Sequence, residues 1–186
     1  MDTTFPKTYD CRELAELPQP EVLPRYFYPG ATTQGGRDGI LVEMRPDHGR
    51  PWLGTFAFDE IAPNGASGIF TTPHLQRVCI VTRGAGYLVS TDEPNSWELV
   101  RAIPVMDVRS VSAHEIIVFA SFTDLVAYGP TGIKWRTRRL AWDNLKILEV
   151  TTDSIRGEYW DIGPAATAEF TVDLRTGADK GGIGAF

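Results

Sequence analysis

Leu125-Val126-Ala127-Tyr128-Gly129-Pro130-Thr131-Gly132-Ile133-Lys134-Trp135-Arg136 is the stretch that decides the fold class. Four apolar residues of good strand propensity run into Gly-Pro-Thr-Gly, a cluster of turn formers, and a second strand carrying a tryptophan follows. That is a β-hairpin. Working outward, the same grammar recurs. Strands are expected over residues 77–82 and 86–90 around Arg83-Gly84-Ala85-Gly86, with Asp92-Glu93-Pro94-Asn95 leading to a strand over 97–101. Further short strands are expected over 40–44, 52–58, 68–72, 105–111, 115–121, 146–151, 154–160 and 168–174. Beyond Ile40 no segment keeps a helical period for three turns, and 140–145 suits a single turn at most. The class is therefore all-β, built of antiparallel hairpin repeats. A small propeller-like unit, a sandwich and an irregular barrel all fit.

A faint repeat sharpens this reading. Leu41-Val42 leads to Trp52, Leu88-Val89 to Trp97, Leu125-Val126 to Trp135, and Thr171-Val172 to Gly181. The valines are 47, 37 and 46 residues apart. Spacings of this size suit a four-stranded β unit such as a propeller blade. They also suit a chance alignment of common hairpin chemistry. If the repeat holds, each valine lies buried in mid-strand at an equivalent place.

The segment from Leu125 to Trp135 resembles the hairpins of quinoprotein-type β-propellers, in which an apolar strand passes through Thr-Gly to a tryptophan. Arg175-Thr176-Gly177 repeats the Thr-Gly turn without the tryptophan. The resemblance covers about 11 residues and implies a hairpin with a packed Trp. It does not imply a quinone, because 186 residues are too few for the large propeller that such cofactors occupy.

Before Ile40 the chain reads differently. Asp10 and Glu13 have capping-box spacing ahead of Leu14 and Leu17, and Pro18 and Pro20 would stop the turn, so a short helix is expected over 10–17. Residues 1–39 are expected to form an N-terminal arm packed on an all-β domain over 40–176. A Gly-rich tail over 177–186 completes the division.

Hydrophobic residues make up 42% and charged residues 23%, enough apolar side chain for one core. The net charge of −6 argues against general binding to nucleic acid or an anionic membrane. Cys79 lies in the apolar run 78–81, where a buried, inert thiol is expected, and two cysteines make no disulfide framework. The first residues have neither a basic nor an apolar signal segment. A cytoplasmic protein is expected.

The search for chemistry is mostly negative. His48, His74 and His114 are 26 and 40 residues apart, without ligand spacing, so neither a metal nor another cofactor is expected. There is no nucleophile elbow, and the C-terminal glycines lack the Gly-Lys-Ser/Thr of a phosphate loop. Asp92, Glu93, Asp107, Asp124, Asp143, Asp153, Glu158 and Asp161 suit turn and surface roles, unless two of them converge in the fold as a hydrolase pair.

Two candidate sites remain. On a strand Lys134, Arg136 and Arg138 project together, while Ile133, Trp135 and Thr137 face the other way. Such a stripe can bind an anionic group, and it equally suits a wet sheet face or a charge-protected edge. Trp142 and Trp160 are candidates for aromatic stacking, whereas Trp52, Trp97 and Trp135 are expected to pack within the domain. The function that fits best is a non-enzymatic binding module whose loops or basic strand face meet a protein or an acidic ligand. The alternative is a hydrolase or small-ligand protein whose carboxylates converge only in three dimensions.

Overall fold

A strand that is apolar at every position needs cover on both faces, whereas an alternating strand needs cover on one. Both kinds occur here, and they sort the sheets into inner and outer members. The computed structural model describes residues 1–18, 23–30, 38–59 and 62–183. Among these residues sixteen strands form four four-stranded sheets, joined in chain order into a propeller-like all-β fold. Among the described residues the helical content is one 3₁₀ turn, Ser112–His114.

The first sheet contains β1 (Tyr9–Leu14), β2 (Arg25–Tyr28), β3 (Gly39–Pro46) and β4 (Trp52–Ala57), in the order β1-β3-β4-β2. Its last pair, β2 with β4, is parallel. The other three sheets are simple antiparallel meanders. The second is β5 (Gly68–Thr71), β6 (Arg77–Thr82), β7 (Ala85–Ser90) and β8 (Trp97–Leu99). The third is β9 (Asp107–Val111), β10 (Ile116–Ala120), β11 (Leu125–Gly129) and β12 (Gly132–Arg136). The fourth is β13 (Lys146–Val150), β14 (Ser154–Asp161), β15 (Ala166–Asp173) and β16 (Asp179–Gly181).

Three cores lie between successive sheets. Val78 and Ile80 of β6 face the first sheet and pack with Tyr9, Met44, Trp52 and Phe56. Cys79 and Val81 face the other way, onto Ile117, Phe119, Val126 and Tyr128 of the third sheet. Ile116, Val118 and Ala120 in turn meet Ile155, Phe170 and Val172 of the fourth. The runs 78–81 and 116–120 are therefore apolar throughout because their sheets are covered on both sides. β14 and β15 alternate, since only their inner face is covered.

The expected helix over 10–17 is not formed; Tyr9–Leu14 is strand β1. Its register sets Asp10 against Arg45 and Arg12 against Glu43. Of the two residues with capping-box spacing, Asp10 thus lies opposite Arg45 and Glu13 opposite Val42, and Tyr9 is buried in the first core. A cap contributes about 1 kcal/mol, less than a full ladder of bonds plus a buried aromatic ring. The chain start is also engaged: Asp2 N–H donates to Ile69 (2.8 Å), Thr71 N–H donates to Asp2 (3.0 Å), and Ser110 Oγ donates to the Asp2 carboxylate (3.1 Å).

All four repeat valines are buried in strands. Val89, Val126 and Val172 occupy the third strand of their sheets, β7, β11 and β15. Val42 is likewise on the third strand of its sheet in chain order, β3, but its strand lies between β1 and β4 rather than between the second and fourth strands. The cause is topological. The first sheet opens with the distant strand β1 and closes with parallel β2, so its β3–β4 hairpin falls in the middle.

Candidate functional site

Antiparallel pairing places alternate turns of a meander at the same end of its sheet. In the second sheet Thr71 pairs with Val78 and Arg77 with Ser90, so the β5–β6 and β7–β8 turns share one end. The β9–β10 and β11–β12 turns do likewise in the third. Thr8, just before β1, accepts from Asp47 N–H (2.9 Å) and donates its own N–H to Leu75 (3.1 Å), which brings the β3–β4 turn to the same rim.

A cavity of about 480 Å³ opens there. The first sheet contributes Thr8 and His48, the second Pro73 to Gln76 with Asp92, and the third Pro130. The β5–β6 turn is pinned by the Thr72 hydroxyl, which accepts from His74 N–H (3.2 Å) and lies 3.0 Å from the His74 and Arg77 carbonyls. Gln76 N–H donates to His74 Nδ1 (3.2 Å), which leaves the ring proton of a neutral His74 on Nε2. The Gln76 amide in turn donates to Asp92 Oδ2 (2.6 Å). The rim therefore offers two histidines, a fixed amide–carboxylate pair and an apolar wall of Pro73, Leu75 and Pro130. Such a mixture can contact both polar and apolar groups.

Two of the isolated histidines are thus brought to one cavity. His114 lies in the turn between β9 and β10, and its Nε2 is 2.7 Å from the Thr152 carbonyl of the fourth sheet. Among the described residues no group of three or more His, Cys, Asp or Glu side chains is placed to hold a metal ion. Burial raises the Cys11 thiol to about 11 and the Cys79 thiol higher, so both are protonated at neutral pH.

The basic stripe lies on β12 and just beyond it. Trp135 and Thr137 are buried, while Lys134, Arg136 and Arg138 point outward, as strand alternation requires. Ile133 is also exposed, because a register shift at Ala127/Tyr128 disturbs the alternation there. Arg136 Nε donates to Asp124 (2.5 Å), and Arg138 Nε donates to Asp179 of β16 (2.8 Å). Lys134 Nζ donates to the His114 carbonyl (3.1 Å). Both arginines thus carry carboxylates of their own chain.

Trp142, in the link between the third and fourth sheets, has Arg139 stacked 4.7 Å over its ring. Trp160 stands half exposed on β14, opposite Thr167 of β15. The carboxylates are dispersed among local tasks. Asp107 pairs with Arg109 (2.8 Å) and Glu158 with Lys146 (3.7 Å), while Asp143 and Asp161 accept backbone N–H groups of their own turns.

Among the described residues no helix is long and apolar enough to cross a membrane. No protein-family model matches the chain, and no curated protein matches it. A crystal structure of the N-terminal domain of Nup159 is similar, with a TM-score of 0.43 and 16% identity. The likeness covers 94% of this chain and 49% of that one, so this chain spans about half the length of that domain.

Proposed function

We propose that this chain is a non-enzymatic binding module that meets a protein partner through the turn-built rim around His74 and Leu75. The observation that carries this reading is convergence: turns of three successive sheets line one cavity. The β5–β6 turn is held by the Thr72 hydroxyl, and Gln76 ties it to Asp92 of the β7–β8 turn. Loops on a rigid scaffold keep their geometry at low entropic cost, which suits recognition. Leu75 is half exposed at the centre of the cavity wall, an apolar anchor beside polar groups.

The basic strand face is the second surface that could serve this function. Arg136 and Arg138 already hold Asp124 and Asp179, so an acidic ligand there would have to compete with carboxylates within the chain. This weighs in favour of the rim. Capture of partners from the native cell with three baits tests the choice: wild type, Leu75→Asp, and the triple change of Lys134, Arg136 and Arg138 to Ala. Loss of the captured protein with Leu75→Asp and its retention by the triple variant is expected. Retention by Leu75→Asp with loss by the triple variant overturns the rim in favour of the strand face.

A further inference from the structure

A second apolar surface lies at the opposite end of the second sheet. The β6–β7 turn is there, and a groove of about 260 Å³ runs beside it. Gly86, the buried Tyr87, Pro29, Phe58, Leu99 and Ile103 line it. Ile103 is 65% exposed and Leu99 41%, high values for large aliphatic side chains. Past Leu99 the groove continues as a trough along Trp97 and Arg101.

Two further features mark this surface. The first is an open strand edge. β8 is three residues long and lies at the end of its sheet. Val100 N–H donates inward to Gly86, and the Ser96 carbonyl accepts inward from Ser90, each at 2.9 Å. By alternation, the backbone groups of Trp97 and Leu99 point outward along the trough. The second feature is charge. Arg83 stacks 4.1 Å over Phe58, and Arg101 lies in the trough with its backbone N–H donating to Tyr128 Oη (3.0 Å). Among the described residues neither guanidinium holds a carboxylate, unlike Arg77, Arg109 and Arg136. Glu98 in the trough is taken by Arg77 (3.1 Å), and Asp59, beside Phe58, also has a partner.

We infer that the groove between Phe58 and Ile103 docks a short extended peptide segment of a partner, carrying a large apolar side chain flanked by carboxylates. The apolar side chain enters between Phe58, Leu99 and Ile103, where water is displaced from both sides. The flanking carboxylates meet Arg83 and Arg101, which hold no carboxylate among the described residues of a chain of net charge −6. The segment is extended because an open β8 edge offers main-chain bonds to a strand, with alternate side chains turned into the groove.

A random peptide library panned against the full chain tests this. Enrichment of sequences with Leu, Phe or Trp next to Asp or Glu is expected. A synthesised, labelled winner should bind with an affinity that falls with added salt, and that falls at least about tenfold in Ile103→Asp and in Arg83→Glu/Arg101→Glu. Binding should persist in Leu75→Asp, which separates this groove from the rim. Ile103 is exposed, so unchanged circular dichroism will show that the variant folds; Ile103→Ala gives a milder check. Failure to enrich, enrichment without acidic bias, or affinity unmoved by the groove variants overturns the inference. So does a wild-type dimer in sedimentation that Ile103→Asp abolishes, which would give the groove to a second copy of the chain.

Discussion

The indole N–H of Trp135 donates to the carbonyl of Leu174 at 2.8 Å, tying the last strand of the third sheet to the end of β15 in the fourth. Trp52 does the same two interfaces earlier, between the first and second sheets, donating to the Thr91 carbonyl just past β7, also at 2.8 Å. Both bonds span 39 residues, and both acceptors lie two positions beyond a repeat valine, Val172 and Val89. The tryptophans are therefore rivets between sheets as well as apolar filling.

Trp135→Phe keeps most of the apolar volume and removes the donor, leaving a buried carbonyl without it. A loss of about 1–3 kcal/mol is expected, measured by urea unfolding. Trp52→Phe should fall in the same range. A change within error for both would mean that the bonds contribute nothing beyond packing.

The repeat makes a second test. Val89, Val126 and Val172 are fully buried, and each change to Ala should cost about 1–3 kcal/mol through lost burial and a partial cavity. Val42→Ala should cost a similar amount, although its strand holds a different place in the sheet order. Equal unfolding midpoints for wild type and all four variants would show that these cores are not what holds the sheets together.

The parts of this fold that are legible in the sequence are those decided by neighbours along the chain. The hairpins around Arg83-Gly84 and Pro130-Thr131 are written in turn formers flanked by strand formers, and both are found. Burial of Trp135 beside exposed Lys134 and Arg136 follows from alternation alone. What resists reading is set by partners far away. Asp10 and Glu13 carry a sound local helix signal, and only the arrival of β3 some 30 residues later turns them into a strand. Nothing local tells that Arg138 will meet Asp179, 41 residues on. The rim is the clearest case. His48 and His74 share no motif, and the bond from Thr8 to Leu75, across 67 residues, helps bring their turns together. The exposed pair Leu99 and Ile103 looks like ordinary strand sequence until their faces are seen to be uncovered.

Glu43 gives a prediction in pH. It is buried on β3 between Arg12 (2.6 Å) and Arg45, whose Nε donates at 2.8 Å. Burial alone would raise its pKa, but the hydrogen bonds and charges of the two arginines outweigh that and hold it below the usual carboxylate range. A depressed folded pKa stabilises above the unfolded value of about 4.3, and the benefit is lost as pH falls through the lower folded value. Because both arginines are largely exposed, the effect is discounted to about 1 kcal/mol at neutral pH. Glu43→Gln should therefore be less stable than wild type at pH 7. The gap should narrow below about pH 4, and a gap that widened on acidification would reverse the assigned sign.

The basic strand separates into unequal members. Asp124 is nearly buried and accepts from both Ser121 Oγ and Arg136, so Arg136→Ala leaves a sheltered carboxylate short of its counter-charge. A cost of about 1–2 kcal/mol is expected, against about 0–0.5 for Lys134→Ala, whose ammonium serves an exposed carbonyl. Thermal unfolding of the two variants side by side decides it. Equal small effects would return all three cations to the status of free surface charge.

Gly177 meets the rivet from the other side. Its φ of +73° lies in the left-handed region, and an added Cβ would come within 2.9 Å of the Trp135 side chain. The turn that delivers it is tightly specified. The Asp173 carboxylate accepts from the N–H groups of Arg175 (3.0 Å) and Thr176 (2.8 Å), and Gly177 N–H donates to the Asp173 carbonyl (2.9 Å). Trp135 cannot readily retreat, since it is buried and its N–H is committed to Leu174. Gly177→Ala therefore combines backbone strain with a clash against a fixed ring, and about 2–4 kcal/mol is expected. Gly132→Ala supplies the comparison: its φ is +123° with nothing within 4 Å of an added Cβ, so strain acts alone and about 1–2 kcal/mol is expected. If urea unfolding shows Gly177→Ala to be no more costly than Gly132→Ala, the Trp135 ring is not held where the Leu174 bond requires it to be.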